Sequence, residues 1–157
     1  MIALQPVPAG DLARLADLRM SAGPPYASDG AVAILDRTPG LTFHEILADG
    51  RRIGMVKLDP RYHERHDFAA VNDIGVRGVL IDRDHQGQGH GVAAMAALSP
   101  YAAGLFPQAT SLVLTVNTDN TRAYRTYLRA GFHDTGALYT GGTLGPQHIL
   151  RCPLPRT

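Results

Sequence analysis

The chain has 157 residues, of which 45% are apolar and 18% are charged, and its formal net charge is +1. This length suits one domain with one core, and a disordered chain is excluded because disorder combines low hydrophobicity with high net charge. The near-neutral charge excludes a general attraction to nucleic acid or anionic membranes, and the single cysteine excludes an internal disulfide.

The N-terminal segment favours one strand followed by two helices. Residues 2–7 are predicted to be a strand, and residues 11–20 place apolar side chains at helical spacing. Residues 28–36 are predicted to be a shorter helix that ends at Pro39-Gly40. The first residues lack the basic and apolar regions of a signal peptide, and no apolar stretch is long enough for a membrane span, so we expect a cytoplasmic protein.

The middle of the chain favours β structure. Three strands are predicted in a row, over residues 41–48, 52–58 and 69–82. Asp49-Gly50 is a strong signal for a hairpin turn between the first two. Gly75 and Gly78 are expected bulge positions in the third strand.

The last part of the chain alternates helices and strands. A helix opens at Val92, and we expect a kink or restart at Ser99-Pro100 because proline lacks the amide proton and clashes with the preceding turn. The further predicted elements are a strand over residues 111–117, a helix over 120–130 that Gly131 stops, and strands from 132 and over 147–152. This order predicts a single α/β domain over residues 1–157, with helices flanking a mixed sheet.

A glycine-rich turn carries the clearest chemical signal. Alternate glycines precede the helix at Val92, and such a turn lets unpaired helix amides approach an anion. Gly91 is followed by Val92. A P-loop would have lysine and then Ser/Thr after this glycine, and a dinucleotide fingerprint would have its third glycine at position 92, so neither motif is complete. The remaining pattern is Gln/Arg-x-x-Gly-x-Gly/Ala, matched by Gln86, Gly89 and Gly91. A tight turn without a ligand is the alternative.

A second motif follows the strand over residues 111–117. It has the form Asn-x-x-Ala-x-x-x-Tyr-x-x-x-Gly-Phe, with Asn120, Ala123, Tyr127, Gly131 and Phe132 at the named positions. In order and spacing the two motifs resemble the GNAT superfamily of acetyl-CoA-dependent N-acyltransferases, over about residues 40 to 152. The resemblance implies a mixed, mostly antiparallel sheet, with acetyl-CoA as co-substrate and no metal.

The resemblance also implies which residues contact the coenzyme. The positions that match the pyrophosphate-binding turn are Gln86, Gly87, Gly89, Gly91 and Val92. Leu80 and Ile81 match the strand that contacts the pantetheine arm, with the Ile81 amide facing the acetyl carbonyl. Asn120 matches the position that contacts the pantetheine or adenosine side.

Two catalytic residues are expected on the same basis. Tyr127 matches the tyrosine near the coenzyme sulfur, where a phenol can donate a proton to the leaving thiolate. A core tyrosine is the alternative. Many family members carry a glutamate base six residues before the position of Ile81, where this chain has Gly75. Asp73 is our candidate for the base, and Glu45 or a proton relayed by solvent stays open.

The resemblance favours an N-acetyltransferase that acts on the primary amine of a small molecule. A protein N-terminal or lysine acetyltransferase, a non-catalytic acyl-CoA-binding regulatory module and a structural domain without a cofactor are the alternatives. Arg77 on the long strand would favour an acceptor with a carboxylate if it faces the pocket. We expect neither nucleic acid nor a membrane as a partner; sheet edges in this fold often pair between subunits, which is compatible with a homodimer.

Overall fold

One seven-stranded sheet organises the computed structural model, which describes residues 1–156. The strands are β1 (Ile2–Val7), β2 (Thr42–Ala48), β3 (Arg51–Asp59), β4 (Asp73–Ile81), β5 (Ser111–Asn117), β6 (His133–Tyr139) and β7 (Gln147–Pro153). Their order in the sheet is β1-β2-β3-β4-β5-β7-β6. The β4–β5 pair is parallel and the other five pairs are antiparallel, which confirms the predicted mixed, mostly antiparallel sheet.

Helices cover both faces of the sheet. They are α1 (Gly30–Ala33), α2 (His90–Leu105) and α3 (Thr121–Arg129). Side chains of α2 and α3 pack with the larger apolar core on one face, while the N-terminal segment and α1 pack with a smaller core on the other. Within residues 1–156, no helix is long and apolar enough to cross a membrane.

Both N-terminal helices are shorter than predicted, and α1 covers only Gly30–Ala33 of the helix predicted over residues 28–36. Ala9–Leu15 form a 3-10 helix with a non-helical backbone at Asp11, so the predicted α-helix over residues 11–20 is wrong. The cause is a close approach of two chain segments. A Cβ atom on Gly30 would lie 1.9 Å from the Leu15 carbonyl oxygen, and the Gly30 amide donates to the Leu18 carbonyl at 2.8 Å. The Leu18 carbonyl therefore accepts a hydrogen bond from a distant segment and not from a later turn of the same helix.

Helix α2 continues through its proline without a break, so of the predicted kink or restart at Ser99-Pro100 the restart is wrong. Pro100 lies on the exposed side of the helix, where water can satisfy the carbonyl that a proline leaves without a donor. Leu98 and Ala102 are fully buried on either side of it, which holds both halves of the helix against the sheet. Burial thus outweighs the local cost of the proline.

Strand β4 contains one of the two expected bulges. Gly78 has a φ of +56°, and the β3–β4 register shifts beside it, which confirms the bulge there. Gly75 lies in regular strand, and the prediction of a bulge at this position is wrong. A Cβ atom on Gly75 would lie 2.4 Å from the Tyr62 ring, so glycine is required by close packing. The strand begins at Asp73 and not at residue 69.

Candidate functional site

The sheet opens between β4 and β5. These strands pair through Asp73–Gly75 and Ser111–Val113, and their pairing ends there, although both strands continue. The bulge at Gly78 lies just beyond the last pair, and a bulge bends its strand and increases its twist. The C-terminal half of β4 therefore presents an edge without a neighbouring strand.

The Ile81 amide points into this opening. The Asp82 amide donates to the Ile53 carbonyl at 2.7 Å, so Ile81 and its partner Gly54 form a non-hydrogen-bonded pair of the antiparallel ladder. In such a pair the backbone groups point away from the partner strand, which here means toward the open edge. The Ile81 carbonyl accepts a 2.9 Å hydrogen bond from the Gln86 side chain, and the N–H is directed into the opening.

The glycine turn exposes the start of α2. Gly87 and Gly89 have φ values of +76° and +80°, and no atom beyond the adjacent residues lies within 4 Å of a Cβ atom built at either position. Gly89 is the N-cap of α2 and supplies no side-chain cap. The first amides of α2 are therefore available to an anion, and the helix dipole favours negative charge there.

One cleft of about 620 Å³ joins the open edge, the glycine turn, α3 and the loop that follows the 3-10 helix. It brings together every coenzyme residue expected from the sequence, namely Leu80, Ile81, Gln86, Gly87, Gly89, Gly91, Val92 and Asn120. Tyr127 lines the same cleft. Residues as distant in the chain as Ile81 and Tyr127 thus meet because α3 packs beside α2 on one face of the sheet.

Three arginines on α3 were not identified from the sequence. Arg122, Arg125 and Arg129 line the cleft, as do His85 and His90. Their spacing of three and four residues along a helix was the signal that could have revealed them. Among the described residues, no aspartate or glutamate lines the cleft. The cleft is therefore a basic site that suits a ligand with several phosphate groups.

Tyr127 presents a phenol that stays protonated. Its ring packs against Phe132 with 5.8 Å between centroids. Burial raises the pKa of Tyr127 to about 12. Within residues 1–156 its hydroxyl has no hydrogen-bond partner, in contrast to Tyr124 on the same helix, whose hydroxyl donates to Asp134 at 2.9 Å. The Tyr127 hydroxyl is thus a proton donor that the fold itself does not use.

Asn120 has a structural role as well as a place in the cleft. Its side-chain oxygen accepts a hydrogen bond from the Ala123 amide at 3.4 Å and caps the N-terminus of α3. Gly131, with a φ of +107°, follows the C-terminus of the helix. Both predicted ends of α3 are confirmed.

The two carboxylates considered as a base lie elsewhere. Asp73 is buried at the start of β4, about 26 Å of strand away from Ile81, and accepts from the Ala70 amide at 2.7 Å and pairs with Arg151 at 2.9 Å. It does not line the cleft, so we correct its assignment from base to structural carboxylate. Glu45 is likewise buried, beside Arg14 at 2.6 Å, and is absent from the lining.

Arg77 does not reach the cleft either. Its guanidinium lies 3.0 Å from Asp36 and 3.4 Å from Asp59. Asp36 also contacts the buried Lys57 at 3.3 Å. The Thr38 hydrogen bonds and these two cations hold the pKa of Asp36 at about 2, against the effect of its burial. Arg77 is therefore part of an internal charge network, and it says nothing about the charge of a ligand.

Comparisons with known proteins agree on one family. The family model described as "Acetyltransferase (GNAT) family" matches residues 12–132. The protein named "Uncharacterized N-acetyltransferase YbbJ" of Bacillus subtilis (strain 168) is 30% identical over 138 residues, which cover 85% of this chain and 81% of that protein.

Solved structures share the fold at low sequence identity. The aminoglycoside acetyltransferase AAC(6')-Ib, in complex with coenzyme A and kanamycin, is 19% identical with a TM-score of 0.74, covering 98% of this chain and 95% of that one. The ribosomal-protein-S18-alanine N-acetyltransferase of Escherichia coli is 17% identical with a TM-score of 0.67, covering 100% of this chain and 96% of that one.

Proposed function

This chain belongs to the GNAT family of acetyltransferases, and we propose that it transfers the acetyl group of acetyl-CoA to the primary amine of a small molecule by direct attack. We propose further that residues 1–157 act as one catalytic domain. The observation that carries the proposal is one basic cleft in which an open strand edge, an exposed helix N-terminus and the Tyr127 phenol meet.

The residues of the cleft suit coenzyme A. The amides of the glycine turn and of the first turn of α2 would bind the pyrophosphate, and the open space at Gly87 and Gly89 supports this assignment. The α3 arginines would pair with the remaining phosphate charge. The pantetheine arm carries amide groups, and the open edge of β4 offers backbone groups that can bind them as a neighbouring strand would.

Acetyl-CoA would bring the acetyl group as an activated thioester. The Ile81 amide is directed into the opening, where it can donate to an oxygen that becomes negative as the amine attacks. Tyr127 holds its proton at neutral pH and can pass it to the departing sulfur. Because no carboxylate lines the cleft among the described residues, we propose that solvent takes the proton of the amine.

Two kinds of acceptor are compatible with the fold. The likeness to an aminoglycoside acetyltransferase supports a small-molecule amine as the kind of acceptor, whereas the charge of the acceptor has to follow from the residues of this chain's own cleft. The likeness to an alanine N-acetyltransferase of a ribosomal protein keeps a protein N-terminus as the second candidate. The experiment must therefore include both classes.

Calorimetry with acetyl-CoA, followed by detection of free thiol with a panel of amines, tests the proposal. We expect binding and thiol release with at least one small primary amine, above the hydrolysis measured without an amine. Binding without thiol release from any amine or peptide would contradict the reaction. Release with peptides and with no small amine would favour the second candidate.

A further inference from the structure

We infer that the acceptor is a primary amine with an uncharged, apolar body, and that polycationic amines are poor acceptors. The inference narrows the acceptor and rests on the proposed function. It starts from the loop that follows the 3-10 helix, which contributes Met20, Ser21, Pro24, Tyr26 and Ala27 to the cleft.

This loop is held beside the reactive end of β4. The Arg19 carbonyl accepts from the Arg83 amide at 2.9 Å, and the Arg19 amide donates to the Asp82 carboxylate at 2.8 Å. Asp82 directly follows Ile81, whose amide we assign to the reacting carbonyl. The side chains of the loop therefore form the wall nearest to the reaction, whereas the glycine turn and α3 are taken by the coenzyme.

The wall carries no negative charge for a cation. Its five cleft residues are apolar or uncharged, and Leu80 of β4 extends the apolar surface. An amine with several positive charges loses hydration when it binds, and carboxylates are the side chains that best replace this hydration. No aspartate or glutamate lines the cleft among residues 1–156, so this compensation is missing.

Carboxylates beside the loop are already engaged in hydrogen bonds and an ion pair within the protein. Asp29 accepts from the Met20 amide at 2.8 Å. Asp82 accepts from the Arg19 and Asp84 amides, and Asp84 pairs with the Arg19 guanidinium at 2.8 Å. Bonds from two backbone amides hold the pKa of Asp82 below its usual value, against the effect of burial. These groups bind the loop, and none of the three lines the cleft.

The cations of the cleft do not help a polycation either. Three arginines line the cleft, and the phosphates of a bound coenzyme would pair with them. In the loaded enzyme the acceptor therefore meets the loop itself, which offers no carboxylate. Specificity then arises from the missing compensation for a polycation together with apolar contact for the right acceptor.

Two amines of simple structure test the inference. 2-Phenylethylamine and spermidine are compared by thiol release at saturating acetyl-CoA, and by calorimetry on the protein saturated with coenzyme A. We expect 2-phenylethylamine to show at least a tenfold higher kcat/KM and tighter binding. Equal or better values for spermidine in either measurement would overturn the inference. The proposed function fails separately, through absent coenzyme binding or absent thiol release with every amine.

A negative charge introduced into the loop provides a second test, in which the affinity for spermidine is measured. Ser21 is exposed and lines the cleft, so Ser21→Asp adds a carboxylate with little change in packing. We expect it to raise the affinity for spermidine at least tenfold, and the matched Ser21→Asn variant to leave it unchanged. If both variants bind spermidine as the parent protein does, charge at the loop does not select the acceptor, and the inference is overturned.

Discussion

The side-chain amide of Gln86 donates a 2.9 Å hydrogen bond to the Ile81 carbonyl, and this bond ties the glycine turn to the open edge of β4. The Gln86 side-chain oxygen accepts in turn from Arg122 of α3 at 3.3 Å. One glutamine therefore links the strand edge, the turn and the arginine helix.

Replacing Gln86 should loosen this arrangement. In Gln86→Leu the Ile81 carbonyl and Arg122 lose their partner, so we expect a stability loss of about 1 kcal/mol and a several-fold weaker affinity for acetyl-CoA. Urea unfolding and calorimetry measure the two effects. Gln88→Leu, at an exposed position of the same turn, is the control and should change neither. Equal affinities of the two variants would show that the link is not needed.

Gly89 should be far more sensitive than another glycine of the same helix. Its φ of +80° strains any side chain, and a Val side chain would stand in the space from which an anion approaches the turn. We expect Gly89→Val to weaken acetyl-CoA binding at least tenfold in calorimetry. Gly104→Val, at an exposed position in the last turn of α2, should bind acetyl-CoA as the parent protein does. Unchanged affinity in folded Gly89→Val would refute the pyrophosphate assignment.

Tyr127→Phe separates catalysis from packing. The change removes one oxygen that has no hydrogen-bond partner within residues 1–156, so the melting temperature should stay close to that of the parent. If the phenol protonates the leaving thiolate, kcat should fall about 100-fold, with little change in acetyl-CoA affinity.

Tyr124→Phe provides the matched control on the same helix. It removes the hydrogen bond to Asp134 and lies outside the cleft lining, so kcat should be retained. A Tyr127→Phe enzyme with near-parental kcat, on a confirmed acceptor and with chemistry rate-limiting, would leave solvent as the proton donor.

His44 should make the protein sensitive to mild acid. It is 2% exposed, and its two ring nitrogens lie 2.6 Å from the Tyr101 hydroxyl and 2.8 Å from the Thr42 hydroxyl. Burial lowers the pKa of His44 from 6.5 to about 4. The unfolded chain therefore binds a proton more readily, so stability is present above pH 6.5 and is lost as the pH falls toward 4.

The expected loss between pH 7 and pH 5 is about 2 kcal/mol in the free energy of unfolding. Urea titrations at the two pH values measure it. His44→Gln should remove most of this pH dependence, whereas replacement of the exposed His133 by Gln should retain it. A pH dependence that persists in His44→Gln would assign the effect to another group.

Local signals in the sequence predicted much of the fold and the position of the proposed coenzyme site. Asp49-Gly50 adopts the paired positive φ values of a hairpin turn, and Asn120 and Gly131 delimit α3, because each acts on backbone groups a few residues away. The glycine turn was predictable for the same reason, since alternate glycines before a helix determine which amides remain unpaired. The family resemblance supplied the role of Tyr127, which no local pattern could have given.

Other features depended on residues far apart in the chain. Asp73 forms an ion pair with Arg151. Helix α2 continues through Pro100 because the side chains on either side of the proline are buried. The N-terminal helix is short because Gly30 packs against the end of it. The opening between β4 and β5 lies beside the bulge at Gly78. The basic cleft forms because α3 packs against α2. Sequence thus determined the elements whose signals are hydrogen bonds of the local backbone. Tertiary structure decided the ion pairs, the buried residues and the wall of the acceptor site. The free energies of ion pairing and burial depend on distances between residues that only the folded chain defines.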